Sequence, residues 1–133
     1  MINAAAYTDV DGAEGNEAVA FAVNAVGPSQ LAAEAGWHGI PLIHISTDYV
    51  FDGRKGAPYV ENDATGPLNA YGRSKLAGER GIRGATLRYV TLRTSWVYKP
   101  VWQELCAHYP TSRCGKGAPE YRCRSAWLPN CGG

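Results

Sequence analysis

The chain has 133 residues, which is enough for one small domain but short for an enzyme that carries its own cofactor site. Its formal net charge is +1, so the composition gives no reason to expect nucleic acid or an anionic membrane surface as a partner. No apolar run reaches the length of a membrane span, and the start, MINAAAYTDVDG, lacks the basic and apolar regions of a signal peptide. We therefore expect a cytoplasmic protein.

Strand and helix patterns alternate from the first residues onward. The apolar stretch INAAAY (2–7) predicts a buried strand, and the alanine-rich stretch 14–34 predicts a helix that Pro28 bends or restarts. Asn24 lies within this helix, and we predict a structural role for it, satisfying backbone groups near Pro28. The run IPLIHIST (40–47) is typical of a parallel strand that is covered on both faces.

A long loop, a helix and a third strand follow. The loop 48–69 is rich in Gly, Pro, Asp and Asn, and a loop of this length inside a compact domain is usually functional. The pattern predicts a helix from Ala70 to about Ile82 and a strand in ATLRYVTLRTSWVY (85–98). This alternation indicates an α/β fold with a parallel sheet, whose ligands bind beyond the carboxyl ends of the strands.

The pattern ends at Pro100. Residues 101–133 mix Pro, Gly, Arg, Cys and Trp, with no sustained period of strand or helix. All four cysteines lie in this stretch, with no C-x-x-C pair: Cys106, Cys114, Cys123 and Cys131. Because zinc sites favour that pairing and disulfide frameworks belong to secreted domains, unpaired thiols in an irregular tail are the expectation.

The stretch LNAYGRSKLAGE (68–79) places Tyr71 and Lys75 four residues apart, on one face of the predicted helix. A lone tyrosine titrates at a pH of about 10, and a nearby ammonium favours the phenolate and lowers that pKa. The pair could then serve as an acid or base for a carbonyl or hydroxyl substrate, with Ser46 or Thr47 orienting the substrate oxygen. The same spacing also occurs by chance on surface helices, so by itself it does not distinguish a catalytic pair from two neighbours on an ordinary helix.

The pair lies in the third of four motifs that occur in this order with suitable spacing: NAAAYT, STDYVFDG, DATGPLNAYGRSKLAGE and LRTSWVY. Together they resemble the extended short-chain dehydrogenase/reductase family over roughly residues 1–99. Within that family the motifs look most like the reductases of dTDP-rhamnose biosynthesis. The resemblance implies an NADPH- or NADH-dependent oxidoreductase that reduces dTDP-4-dehydro-L-rhamnose to dTDP-L-rhamnose.

The resemblance also implies roles for the residues that match the motifs. Tyr71 would donate a proton to the C4 carbonyl oxygen of the sugar. Lys75 would bind the nicotinamide ribose and lower the pKa of Tyr71. Thr47 would hydrogen-bond the substrate oxygen, which completes a catalytic triad, and Tyr71 and Lys75 would both contact the cofactor.

Further positions follow from the same resemblance. The backbone of three residues after the first strand would pass along the cofactor: Ala5, Ala6 and Tyr7. Asp48 would lie beside the substrate, and Trp96 would pack against its sugar or nucleotide. For Tyr7 and Trp96 the alternative is an aromatic core position, and for Asp48 it is a loop cap.

The sequence departs from the family pattern at both ends. A glycine-rich turn that holds the cofactor pyrophosphate would precede INAAAY in a complete member. We therefore predict, for residues 1–100, a partial Rossmann-like parallel sheet with flanking helices that lacks the N-terminal βαβ glycine-rich unit. In a frame shifted by one base, the degenerate codons of VWQELCAHYP (101–110) permit FGKNFVRTIL, which matches the family's continuation, and those of the rest of the tail permit RLAAEKERLSIVADQRGCPTA. We predict that this tail is frameshifted and is not a native domain.

Other functions and partners stay open from the sequence. The alternatives are another nucleotide-sugar reductase or epimerase of the extended family, a non-catalytic binding relative, or an inactive gene remnant. The expected partners are a dTDP-sugar and, for full-length members, a second copy in a homodimer, with no nucleic acid and no membrane. Mg²⁺ stays open as a cofactor of the family, with no site identified in this sequence.

Overall fold

The computed structural model describes residues 1–95 and 97, which contain a three-stranded parallel sheet. Its strands, which neighbour one another in chain order, are β1 (Ile2–Asn3), β2 (Leu42–Thr47) and β3 (Tyr89–Thr94). Asn3 lies opposite His44, and Ser46 lies opposite Arg93. The predicted α/β fold with a parallel sheet is therefore confirmed. Strand β1 is shorter than predicted because, from Ala5 onward, backbone groups bind side chains instead of a neighbouring strand.

The helices are α1 (Gly12–Gly15), α2 (Glu17–Phe21), α3 (Gly27–Trp37) and α4 (Ala70–Ala85). A π-helical turn, Ala22–Val26, joins α2 to α3, so the predicted long helix is interrupted. The interruption falls next to Pro28, which cannot donate a backbone hydrogen bond and stands in the first turn of α3. No helix in the described part of the chain has the length and apolar character needed to cross a membrane.

Helix α4 begins sharply, and it lies very close to the π-helical turn. The side chain of Asn69 caps its first turn by accepting a hydrogen bond from the backbone N–H of Gly72 at 2.8 Å. A Cβ atom added at Gly78 would overlap the carbonyl oxygen of Asn24. A glycine at position 78 therefore permits this close approach of two helical segments.

Helices α3 and α4 cover one face of the sheet. Leu42 of β2 packs there with Ala32 and Ala35 of α3 and with Ile82 of α4. The burial pattern of β2 alternates, and Leu42, His44 and Ser46 are its buried positions on that face. The other face is only partly covered by the described residues, and these apolar side chains lie on it: Ile43, Ile45, Val90 and Leu92.

Candidate active site

Tyr71 and Lys75 lie one turn apart on α4, and both are buried, with 9% and 2% of their surfaces exposed. The Lys75 ammonium donates a hydrogen bond to the backbone carbonyl of Ile45 at 2.8 Å, which fixes it against β2. Burial lowers the pKa of Lys75, and the carboxylate of Glu79 opposes that change. The spacing of the two residues therefore places both functional groups between the helix and the sheet.

Burial also raises the pKa of Tyr71 above its ordinary value. A hydrogen bond with Thr47 opposes the rise, whereas Asp48 and Tyr49 add to it. The prediction that Lys75 lowers this pKa is therefore wrong for this structure, because withdrawal of the phenol from water dominates and the ammonium is bound at Ile45. Tyr71 accordingly carries its proton at neutral pH.

Thr47 ends β2, and its hydroxyl takes part in two local hydrogen bonds. Its Oγ1 accepts from the backbone N–H of Tyr49 at 3.2 Å and donates to Asp48 Oδ1 at 3.1 Å. The other carboxylate oxygen of Asp48 accepts from Ser95 Oγ at 2.7 Å. Asp48 therefore links the carboxyl ends of β2 and β3 and sets the direction of the Thr47 hydroxyl.

The segment after β1 is held by the fully buried Asn24. The Asn24 side chain accepts from the backbone N–H of Tyr7 at 2.9 Å and donates to the Tyr7 carbonyl at 3.1 Å. It also donates to Ser74 Oγ at 3.0 Å. The predicted structural role of Asn24 in satisfying backbone groups is confirmed, but the backbone groups are those of Tyr7, after β1, and not groups near Pro28. An amide inside an alanine-rich helix was the sequence signal for this contact.

The predicted cofactor segment stands at the carboxyl end of β1. Ala5 is exposed, and Ala6 and Tyr7 are half-buried. The Tyr7 side chain packs against the core cluster that contains Ala13 and Tyr71, so its ring has the core position that the sequence left as an alternative. Trp96 lies outside the described residues.

Glu79, one helical turn after Lys75, and Arg93 of β3 form a charged pair that the motifs did not indicate. Glu79 is only 3% exposed, and Arg93 binds its carboxylate with Nε at 3.0 Å and Nη2 at 2.6 Å. Buried charges are normally paired, so Arg93 in a mostly apolar strand was a usable signal. Glu79 follows Lys75 by four residues, which is the same spacing that separates Lys75 from Tyr71.

A neutral histidine, His44, completes the surroundings of Lys75. It is fully buried on β2, and its Nδ1 lies 3.2 Å from the side-chain amide nitrogen of Asn3. Burial and the positive charge of Lys75 lower the pKa of His44 to about 4, with Glu79 acting in the opposite direction. Among the residues that the structure describes, His44 Nε2 has no hydrogen-bond partner.

A parallel sheet with a tyrosine and a lysine one helical turn apart near its carboxyl edge is the arrangement of the extended short-chain dehydrogenases/reductases, the class that the motifs resemble. The comparisons with known proteins narrow this class. A family model described as the RmlD substrate binding domain matches residues 1–107, and the chain belongs to this family.

Individual relatives are similar over about three quarters of the chain. A dTDP-4-dehydrorhamnose reductase from Mycobacterium tuberculosis is 56% identical over 102 residues, which cover 74% of this chain and 34% of that protein. The crystal structure of a dTDP-4-dehydrorhamnose reductase from Clostridium acetobutylicum superposes with a TM-score of 0.73 at 43% identity, covering 74% of this chain and 35% of that one.

A third similarity involves a bound cofactor. The dTDP-4-dehydrorhamnose reductase from Bacillus anthracis, in complex with NADP, gives a TM-score of 0.71 at 42% identity and covers 73% of this chain and 35% of its own. The chain therefore spans about a third of the length of the relatives that it matches.

Proposed function

We propose that this chain provides the catalytic part of an NAD(P)H-dependent dTDP-4-dehydrorhamnose reductase, which converts dTDP-4-dehydro-L-rhamnose to dTDP-L-rhamnose. The observation that supports the proposal most is the meeting of Tyr71, Lys75 and Thr47 between α4 and the carboxyl end of β2. The names of the similar proteins support the choice of substrate and cofactor.

The proton would come from Tyr71. Its pKa is raised, so the phenol is protonated at neutral pH and can donate to a sugar carbonyl oxygen that becomes an alkoxide. Thr47 Oγ1 would orient the same oxygen once its hydroxyl exchanges Asp48 for the substrate. Both groups are anchored on regular elements, which keeps their separation fixed during proton transfer.

The residues present fit a dinucleotide with its ribose at Lys75. An ammonium has three N–H donors, and the described contacts of Lys75 use one of them, so two remain for ribose hydroxyls. The small side chains of Ala5 and Ala6 leave the backbone beyond β1 open to a ligand, and Asn24 holds that segment in place at Tyr7. When bound, the nicotinamide supplies the hydride.

The remaining expectations belong to the same proposal. The substrate contacts of Asp48 and Trp96, a homodimer and a cytoplasmic location accompany an enzyme of nucleotide-sugar synthesis. The division into a Rossmann-like part, 1–100, and a frameshifted tail, 101–133, is proposed with them. The contact of Asp48 with Thr47 supports a place for Asp48 beside the substrate oxygen.

Replacing the phenolic hydroxyl tests the proposed function directly. NADPH should raise the melting temperature of the purified chain, and the keto sugar should then oxidise NADPH. In Tyr71→Phe we expect turnover to fall by at least about 100-fold, because the proton donor is lost, while NADPH affinity changes only a few-fold. Absorbance of NADPH measures turnover, and thermal shift measures binding.

Tyr89→Phe is the matched control, because Tyr89 packs at the opposite end of β3 against the α3 and α4 core. It should leave turnover unchanged. Turnover that survives in Tyr71→Phe would refute the role of the tyrosine. A wild-type chain that neither binds NADPH nor oxidises it would refute the proposed function of this chain.

A further inference from the structure

We propose that Glu79 is a positioning residue of the active site. With Arg93, it holds the carboxyl end of β2 against α4 and sets the charge around Lys75. The inference rests on the proposed function, because positioning matters only for the reaction that these two elements would carry out.

The carboxylate of Glu79 has both of its oxygens engaged. Oε1 accepts from Ser46 Oγ at 2.5 Å and from Arg93 Nε at 3.0 Å, and Oε2 accepts from Arg93 Nη2 at 2.6 Å. A buried carboxylate is costly unless it is paired and hydrogen-bonded in this way. Because Ser46 and Arg93 lie opposite each other in the sheet, one side chain of α4 binds β2 and β3 together.

Three consecutive residues of β2 meet three successive turns of α4. The pairs are Ile45 with Lys75, Ser46 with Glu79, and Thr47 with Tyr71. The helix residues are four apart, so they lie along one stripe of the helix. Glu79 is the member of this stripe without an assigned chemical role, and its contact lies between the other two on the strand.

Arg93 extends the connection to the long loop. Its guanidinium lies 4.9 Å from the ring centroid of Phe51, which stacks on Tyr59 at a centroid distance of 4.1 Å. The Tyr59 hydroxyl in turn donates to Asp52 at 2.9 Å. The pair of Glu79 and Arg93 therefore joins α4, two strands and the loop at one point.

The groups near Lys75 differ in charge. Glu79 is a buried carboxylate that pairs with Arg93 and favours the charged form of Lys75, while His44 and Tyr71 are neutral at pH 7. Removing the charge of Glu79 and removing that of Arg93 should therefore shift the pKa of Lys75 in opposite directions. Loss of Glu79 disfavours the charged form, and loss of Arg93 favours it.

Titration of Lys75 in the whole chain tests this inference without a cofactor. The chain has four lysines, so ¹³C-labelled lysine gives few signals in NMR, and Lys75→Arg assigns the relevant one. We expect Glu79→Gln to lower the pKa of Lys75 by about one unit and Arg93→Gln to raise it. Glu34→Gln, an exposed carboxylate on α3, is the charge-matched control and should leave it unchanged.

Opposite shifts in the two variants support the inference, because a general weakening of the fold would not produce them. If circular dichroism finds Glu79→Gln unfolded, the Arg93→Gln titration decides alone. Turnover supplies a second readout: kcat of Glu79→Gln should fall about ten-fold while KM stays within about two-fold.

The two proposals fail differently. A wild-type chain that reduces the keto sugar, together with an unchanged Lys75 titration in both variants, overturns the role of Glu79 alone. A chain without turnover that shows the expected opposite shifts overturns the proposed function and supports the coupling of Glu79 to Lys75.

Discussion

Burial favours the neutral form of three groups at the candidate site. It raises the pKa of Tyr71 and lowers those of Lys75 and His44. Glu79 and Arg93 form a charged pair in this region, and the Lys75 ammonium donates to the Ile45 carbonyl. A tyrosine that keeps its proton is therefore surrounded by groups that do not compete for it.

The titration of His44 makes stability depend on pH. Its pKa is about 4 in the folded chain against an ordinary 6.5, so between these values the unfolded chain binds more protons. The stability from this group is present above pH 6.5 and is lost as the pH falls towards 4. We expect the free energy of unfolding to be lower by about 2 kcal/mol at pH 5 than at pH 7 from this group.

Urea unfolding at the two pH values measures this effect. His44→Gln is the comparison, because its amide oxygen can still accept from Asn3 but does not titrate. The variant should lose less stability than the wild type on acidification. Equal losses in the two proteins would show that His44 is not the responsible group.

Sequence reasoning could name Tyr71 and Lys75, because their spacing and motif are local. It could not reach the pair of Glu79 and Arg93, since that contact depends on the register of two strands and on the position of a helix above them. The predicted direction of the Tyr71 pKa shift was wrong for a related reason. Proximity in sequence suggested that the Lys75 ammonium lowers this pKa, whereas burial of the phenol by the rest of the fold raises it.

The presence of the strands and helices could be predicted better than the residues at which they begin and end. The apolar run of β2 and the cap of α4 at Asn69 are encoded locally, and both elements begin close to the predicted residues. The shortness of β1 depends on a contact distant in sequence, between Asn24 and the backbone of Tyr7. Pro28 indicated the restart of the long helix, but nothing local indicated the π-helical turn before it, Ala22–Val26. Helix α4 then packs closely over that turn at Gly78.

The packing at Gly78 gives a prediction for α4. A methyl group there would overlap the Asn24 carbonyl, so we expect Gly78→Ala to destabilise the chain by about 2 kcal/mol. Gly84→Ala, on the same helix with no atom within 4 Å of the added Cβ, should instead stabilise it by up to about 1 kcal/mol. Urea midpoints measure both, and equal effects would contradict the close approach.

At the scale of the whole molecule, the family match reaches beyond the predicted boundary at residue 100. The family model matches residues 1–107, and the relatives are about three times as long as the matched part. The apolar character of β2 predicted cover on both faces, whereas the described residues cover mainly the face towards α3 and α4. Cover depends on segments far apart in sequence, so the strand pattern alone could not predict it.

The predicted boundary can be tested by truncation. If residues 101–133 are not a native domain, a chain that ends at Pro100 should match the whole chain in its urea midpoint and in its NADPH-induced thermal shift. If the tail contributed to the fold, its removal would lower both the urea midpoint and the thermal shift. A clear fall in the urea midpoint of the shorter chain would therefore reject the predicted division.

The contacts between β2 and α4 have a consequence for how this chemistry is inherited. The proposed proton donor, its neighbouring cation and the buried carboxylate all lie on α4, and their partners lie on the preceding strand, β2. A recombination event that exchanged the single segment 42–94 between relatives would carry these groups, together with Arg93, as one block. The sugar specificity of such hybrids could then diverge through the flanking segments while the geometry for proton transfer stayed intact.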